Sequence, residues 1–146
     1  MAEALLNSIG KGRFKAFSAG SSPIDNQQPN PLSLKVLQKV GIPTEGLHSK
    51  SWKVFAGPDA AKMNLIITLC DKAAGEVCPV WPGYPATAHW SYPDPSDGIG
   101  SEAEKLELFL KTLYAMKHRL ELFNSLPDAK LEQALLQISA RELADA

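Results

Sequence analysis

The run Leu65-Ile66-Ile67-Thr68-Leu69, bounded by Asn64 and Cys70, constrains the fold more than any other feature. A short, unbroken apolar stretch suits a strand buried on both faces, as in a parallel sheet. The segments around it supply the other layers. Phe14 to Ser18 alternates and breaks at Ala19-Gly20, which predicts a half-buried strand entering a loop. Ser21 to Asn30, rich in Ser, Pro, Asn and Gln, reads as a surface loop. Asn30-Pro31 offers a cap and a first-turn proline for a helix with Leu34, Leu37 and Val40 on its apolar face and Gly41 as its stop. Ser51 to Phe55 predicts a short helix, residues 71–86 a loop and Thr87 to Trp90 a brief strand. Ser101-x-x-Glu104 is a capping box ahead of a long helix that buries Leu106, Phe109, Leu110, Leu113, Leu120 and Phe123. A last helix is expected from about Asp128, its cap, with Leu131, Leu135 and Ile138 apolar. Strands alternating with helices give an α/β class: a parallel sheet with flanking helices.

The 146 residues suit one domain, and a hydrophobic share of 45% with 21% charged residues predicts a packed core rather than disorder. A net charge of -1 offers no long-range attraction to nucleic acid or anionic lipid. No apolar run approaches the roughly 20 residues of a membrane helix. Met-Ala-Glu-Ala-Leu-Leu is no secretory signal, so the cytosol is the default expectation. There a disulfide that matters is usually transient and catalytic.

Ala2, Leu5, Leu6 and Ile9 follow a helical stripe that Gly10 and Gly12 end, yet no residue precedes Met1 to cap it. A short uncapped helix is marginal in water. The expectation is a chain that has lost its beginning.

Two segments carry candidate chemistry. Cys70 stands at the carboxyl end of a predicted parallel strand, where open α/β sheets place ligands. Cys78 follows eight residues later, close enough in sequence for the loop to bring the two Cα atoms within the roughly 7 Å a disulfide needs. Two unrelated cysteines, one of them core, is the alternative. A metal site is the poorer reading, because His89 is the single nearby candidate for a third ligand. Asp94, in an Asp-Pro loop, is either a general acid or a common turn former.

Taken in order, several segments resemble one family. They are Met1 to Leu6, Ser18-Ala19-Gly20, Asn30 to Leu34, Gly41-Ile42, Gly46 to Trp52, Cys70 with Cys78, Asp94-Pro95, and Leu126-Pro127 with the tail to Leu143. The chain resembles arsenate reductases of the low-molecular-weight protein-tyrosine-phosphatase-like family. That resemblance implies a three-layer sandwich and a single domain over residues 1–146 with a helical extension from about 126. It implies arsenate reduction to arsenite by a cysteine relay. In that relay Asp94 protonates the leaving oxygen, Cys70 attacks the arseno-thiol adduct, and Cys78 then pairs with Cys70. Thioredoxin or a glutaredoxin-type reductant reopens the disulfide. Glu3 and Ser18 match positions that help bind a potassium ion, with Lys53 where a further ligand, an Asp, stands in some members; no other cofactor is implied.

One departure is decisive for activity. Neither cysteine is followed by Arg at Cys-x5-Arg spacing, since Glu76 and Tyr84 occupy those positions. The nucleophile and its oxyanion-gripping loop are therefore not in this sequence, nor is the family's first strand. The expectation is a chain inactive alone whose exposed sheet edges, if it folds, are closed either by sheet rearrangement or by pairing with a second copy as a homodimer. The alternatives are a thiol-redox or interaction module and a phosphatase relative.

Overall fold

The computed structural model describes residues 1–21, 28–69 and 85–145. Its contacts divide the chain into two compact units, Met1–Lys50 with Pro93–Ser125 and Ser51–Tyr92 with Leu126–Ala146.

The first unit is built on helices. Helix α1 spans Ala2–Gly10 and α2 spans Pro31–Lys39. A 3-10 turn, Pro95–Asp97, precedes the long α3, Glu102–Asn124, which packs against both α1 and α2. Local chemistry fixes the ends. Asn30 Oδ1 accepts the Leu32 amide at 2.9 Å, and Pro31 occupies the first turn, where no amide is needed. At the other end of α2, Gly41 (φ 77°) donates to Gln38 O at 3.0 Å and Ile42 to Leu37 O at 2.9 Å. This pair of bonds requires a left-handed residue, which glycine adopts without strain. Ser101 Oγ accepts the Glu104 amide at 3.2 Å and so starts α3. Gly100 adopts φ 134°, which other residues rarely take, and a Cβ there would have to displace the Glu104 carboxylate.

Leu5, Val36, Leu37, Phe109, Leu113, Met116 and Leu120 form the core of this unit. Fully burying each large side chain contributes about 1.5–3 kcal/mol. Val36 and Met116 belong to the core although the apolar stripes did not mark them. Leu34 and Val40 of α2, and Leu106 and Leu110 of α3, are half-buried instead. On α1 the buried positions are Ala4, Leu5 and Gly10, while Ala2, Leu6 and Ile9 are half-buried. Asn124 Nδ2 donates to Ile9 O at 3.3 Å, the Arg13 guanidinium donates to Asn124 O, and the Phe14 and Phe123 rings stack at 5.1 Å.

Phe14 to Ser18 is not a strand. A strand exists only where a neighbour takes its backbone groups, and here a side chain does so. Asn7 Oδ1 accepts the Ala16 amide at 2.8 Å, and Asn7 Nδ2 donates to Ala16 O at 3.1 Å. One turn earlier on α1, Glu3 holds Ser18. The segment is pinned to a helix rather than paired in a sheet.

The second unit holds two parallel strands, β1 (Leu65–Thr68) and β2 (Ala86–His89), in the register Leu65↔Ala86 to Thr68↔His89. Among the described residues β1 pairs with β2 alone. Leu65 to Thr68 are half-buried along the whole strand, which corrects the expectation of burial on both faces. Ala86 is the buried apolar residue of this unit among those described. The 3-10 turn Trp52–Phe55 is capped by Ser51, and helix α4, Asp128–Asp145, packs on β2. Asp128 is the first residue of α4 rather than its cap. The first carbonyl taken into the helix is that of Pro127, which accepts the Leu131 amide at 2.9 Å. No helix among the described residues is long and apolar enough to cross a membrane.

Candidate functional site

The carboxyl ends of β1 and β2 lie side by side because the strands run parallel in register. Thr68 Oγ1 sits 2.7 Å from His89 Nδ1 and donates more weakly to Ala88 O at 3.5 Å. Beyond the strands, the Trp90 amide donates to Thr68 O at 2.8 Å and the Tyr92 amide to Leu69 O at 3.0 Å. This edge leads directly into Cys70. Cys70 and Cys78 themselves lie outside the described residues, as does most of the 71–86 loop. His89 entered the sequence reading only as a weak metal ligand. Its pairing with Thr68 depends on strand register, which no local pattern reveals. Among the described residues no cluster of three His, Cys, Asp or Glu side chains is arranged for a metal.

Asp94 belongs to the helical unit and is exposed. Its Oδ1 accepts the Ser96 amide at 2.9 Å and the Ser96 hydroxyl at 2.6 Å, starting the Pro95–Asp97 turn. The turn-forming role is thus present in the structure. A carboxylate fixed in this way keeps a defined direction, which a proton donor also requires.

Glu3 and Ser18 are brought together, with Ser18 Oγ donating to Glu3 Oε2 at 2.9 Å. Beside them a cleft of about 330 Å³ is lined in part by Glu3, Asn7, Ser8, Glu45 and Gly46. Burial lowers the pKa of the Met1 α-amino group, and the Glu3 carboxylate opposes that shift. Carboxylate, hydroxyl and amide oxygens are the ligands hard cations take, so the donor chemistry fits such an ion. Lys53 is exposed on the Trp52–Phe55 turn of the other unit. Asn7, which joins Glu3 on this face of α1, was not singled out by sequence. Its spacing of four residues from Glu3 was the available signal.

One unit with two parallel strands and a helix packed on them, in a chain whose other unit is helical, is an α/β architecture, a class in which ligands commonly sit at the carboxyl ends of the strands. The comparisons narrow this class. The family described as low molecular weight phosphotyrosine protein phosphatase matches residues 1–133, and the chain belongs to that family. The chain is 29% identical over 110 residues to an arsenate reductase of Bacillus subtilis (strain 168), covering 75% of this chain and 74% of that protein. It is 30% identical over 111 residues to an arsenate reductase of Bacillus licheniformis, again covering 75% and 74%. A solved structure described as an arsenate reductase in reduced state superposes with a TM-score of 0.58 at 24% identity over 85% of each chain. That likeness supports the shared fold.

Proposed function

We propose that this chain carries the thiol-resolving half of arsenate reduction and is inactive toward arsenate by itself. The observation that supports this reading most is a contrast. The chain matches arsenate reductases over three quarters of its length. Yet its sequence holds two cysteines, neither within a Cys-x5-Arg loop.

In the proposed relay, a nucleophilic thiolate that this sequence does not supply forms a sulfur–arsenic(V) bond with arsenate, losing water. The Cys70 thiolate attacks that sulfur. The arsenic keeps the bonding pair, gains two electrons and leaves as arsenite, while the two sulfurs join. Cys78 then attacks the Cys70 sulfur, frees the nucleophile and leaves a Cys70–Cys78 disulfide. A thioredoxin or glutaredoxin-type dithiol reduces it, taking up the oxidation as its own disulfide. Asp94 gives the proton to the departing oxygen. Glu3 and Ser18, with their all-oxygen donor set, would hold a potassium ion near α1. The reading sets the protein in the cytosol, where glutathione and thioredoxin keep thiols reduced.

Two assays test it. With thioredoxin, its reductase and NADPH present, the 146-residue chain shows no arsenate-dependent NADPH oxidation and no cleavage of p-nitrophenyl phosphate. Turnover of either above the buffer rate overturns the inactivity. Mass spectrometry after mild oxidation finds the loss of two hydrogens, and thioredoxin restores them. A chain that keeps both thiols free under oxidation has no relay to offer. Exchange without any oxyanion chemistry in a chain fused to a Cys-x5-Arg segment favours the second reading, a thiol-redox module.

A further inference from the structure

Helix α3 carries two apolar stripes, where a helix that serves one core needs only one. Phe109, Leu113, Met116 and Leu120 face the core. Leu108, Ala115 and Leu122 recur at intervals of seven, which returns to one face of a helix after two turns. At about 100° per residue, that face lies roughly opposite Leu113 and Leu120. It is open: Leu108 is 39% exposed, Leu122 57%, and Ala115 is exposed. The stripe runs about 21 Å along the helix. Ile99, 94% exposed, adds to its first end, since the Leu108 side chain lies against Gly98. Charges beside the stripe are sorted along the axis. Glu104 and Glu107 stand near the start of α3, His118 and Arg119 near its end, and Lys111 between them, all exposed. Lys117 and Glu121 pair with each other within the helix.

We propose that this face binds a second copy of the chain, α3 against α3, antiparallel about a two-fold axis near Lys111. In that register Leu108 meets the partner's Ala115, Ile99 approaches the partner's Leu122, and Glu104 faces the partner's Arg119. The small Ala115 side chain lets the two helix axes approach to about 8 Å, the short end of the usual range. A parallel pairing would set Glu104 against Glu104 and Arg119 against Arg119, so the charges select the antiparallel one. The symmetry makes every contact twice. It also brings the two Lys111 side chains together, a repulsion that keeps the association weak. This surface is separate from the sheet edges.

Sedimentation equilibrium of the full chain tests this, in a reducing buffer so that no disulfide links the copies. Between about 1 and 500 µM it is expected to show monomer and dimer, with a dissociation constant on the order of 10–100 µM. Leu122→Glu buries a charge at both ends of the paired stripe and is expected to weaken the dimer at least about 10-fold. Its unfolding midpoint stays that of the wild type, because Leu122 lies outside the core. Arg119→Glu is expected to weaken the dimer by about 2–10-fold, and adding Glu104→Arg to restore it to within about 2-fold. Lys111→Ala is expected to strengthen it by about 2–5-fold, a gain that a sheet-edge dimer would not show. A chain that stays monomeric throughout that range overturns the proposal. So does a dimer that Leu122→Glu leaves unchanged, since its contact then lies elsewhere. Failure of the charge reversal to restore binding overturns the antiparallel register.

Discussion

The helical unit and the strand unit bury apolar surface very differently. Around α3, Leu5 and Leu113 are 0% exposed and Leu37 1%, a core packed against three helices. Along β1 every residue from Leu65 to Thr68 is only half-buried, and Ala86 is the one fully buried apolar residue described in that unit. The helices are thus a scaffold whose stability comes from packing. The strands carry the polar edge where function is proposed, with less apolar burial among the described residues of that unit. Regions with few buried contacts lie at the low end of local stability, and functional elements are drawn from there.

Leu113→Ala gives the largest expected effect and the sharpest test of this contrast, a loss of about 2–5 kcal/mol in urea or thermal unfolding. Ile67→Ala on β1 is expected to cost about 1 kcal/mol, because a half-buried side chain forfeits only part of its transfer free energy. Equal costs at the two sites would break the contrast. Asn7→Ala removes both bonds to Ala16 and is expected to cost about 1–2 kcal/mol, with faster amide exchange at residue 16. Ser101→Ala deletes the cap of α3 for about 1 kcal/mol, read as a lower unfolding midpoint. Smallest is Glu102→Gln, which breaks an ion pair to Lys35 whose side chains are 76% and 58% exposed; its effect should stay under about 0.5 kcal/mol and vanish in high salt.

Features with a local cause were the ones legible in sequence. Asn30-Pro31, Gly41 and the Ser101 box act within a few residues, and each stands where its chemistry predicts. The parallel arrangement of the strands ending at Thr68 and His89 was also legible, from apolar content and alternation with helices. The Phe14–Ser18 strand was misread because a strand is defined by its neighbour, and Asn7 fills that place through a contact nine residues away. Asp128 was misassigned by one position, since an acidic side chain suits the first turn of a helix as well as its cap. At the site, the resemblance named Glu3 with Ser18, and the structure joins them. The partnership of Thr68 with His89 spans 21 residues and depends on register, so no motif announced it.

The Asn7 carboxamide copies a peptide group: it accepts and donates across the same residue, as a facing strand would. Its grip is limited to Ala16. An incoming strand that took over that residue's amide and carbonyl would return two hydrogen bonds for the two it displaced, and the freed side chain would find water at once. The segment from Phe14 to Ser18 thus gets one residue's worth of ladder-type pairing from a side chain, while Glu3 holds Ser18 and Phe123 stacks on Phe14 to either side of it.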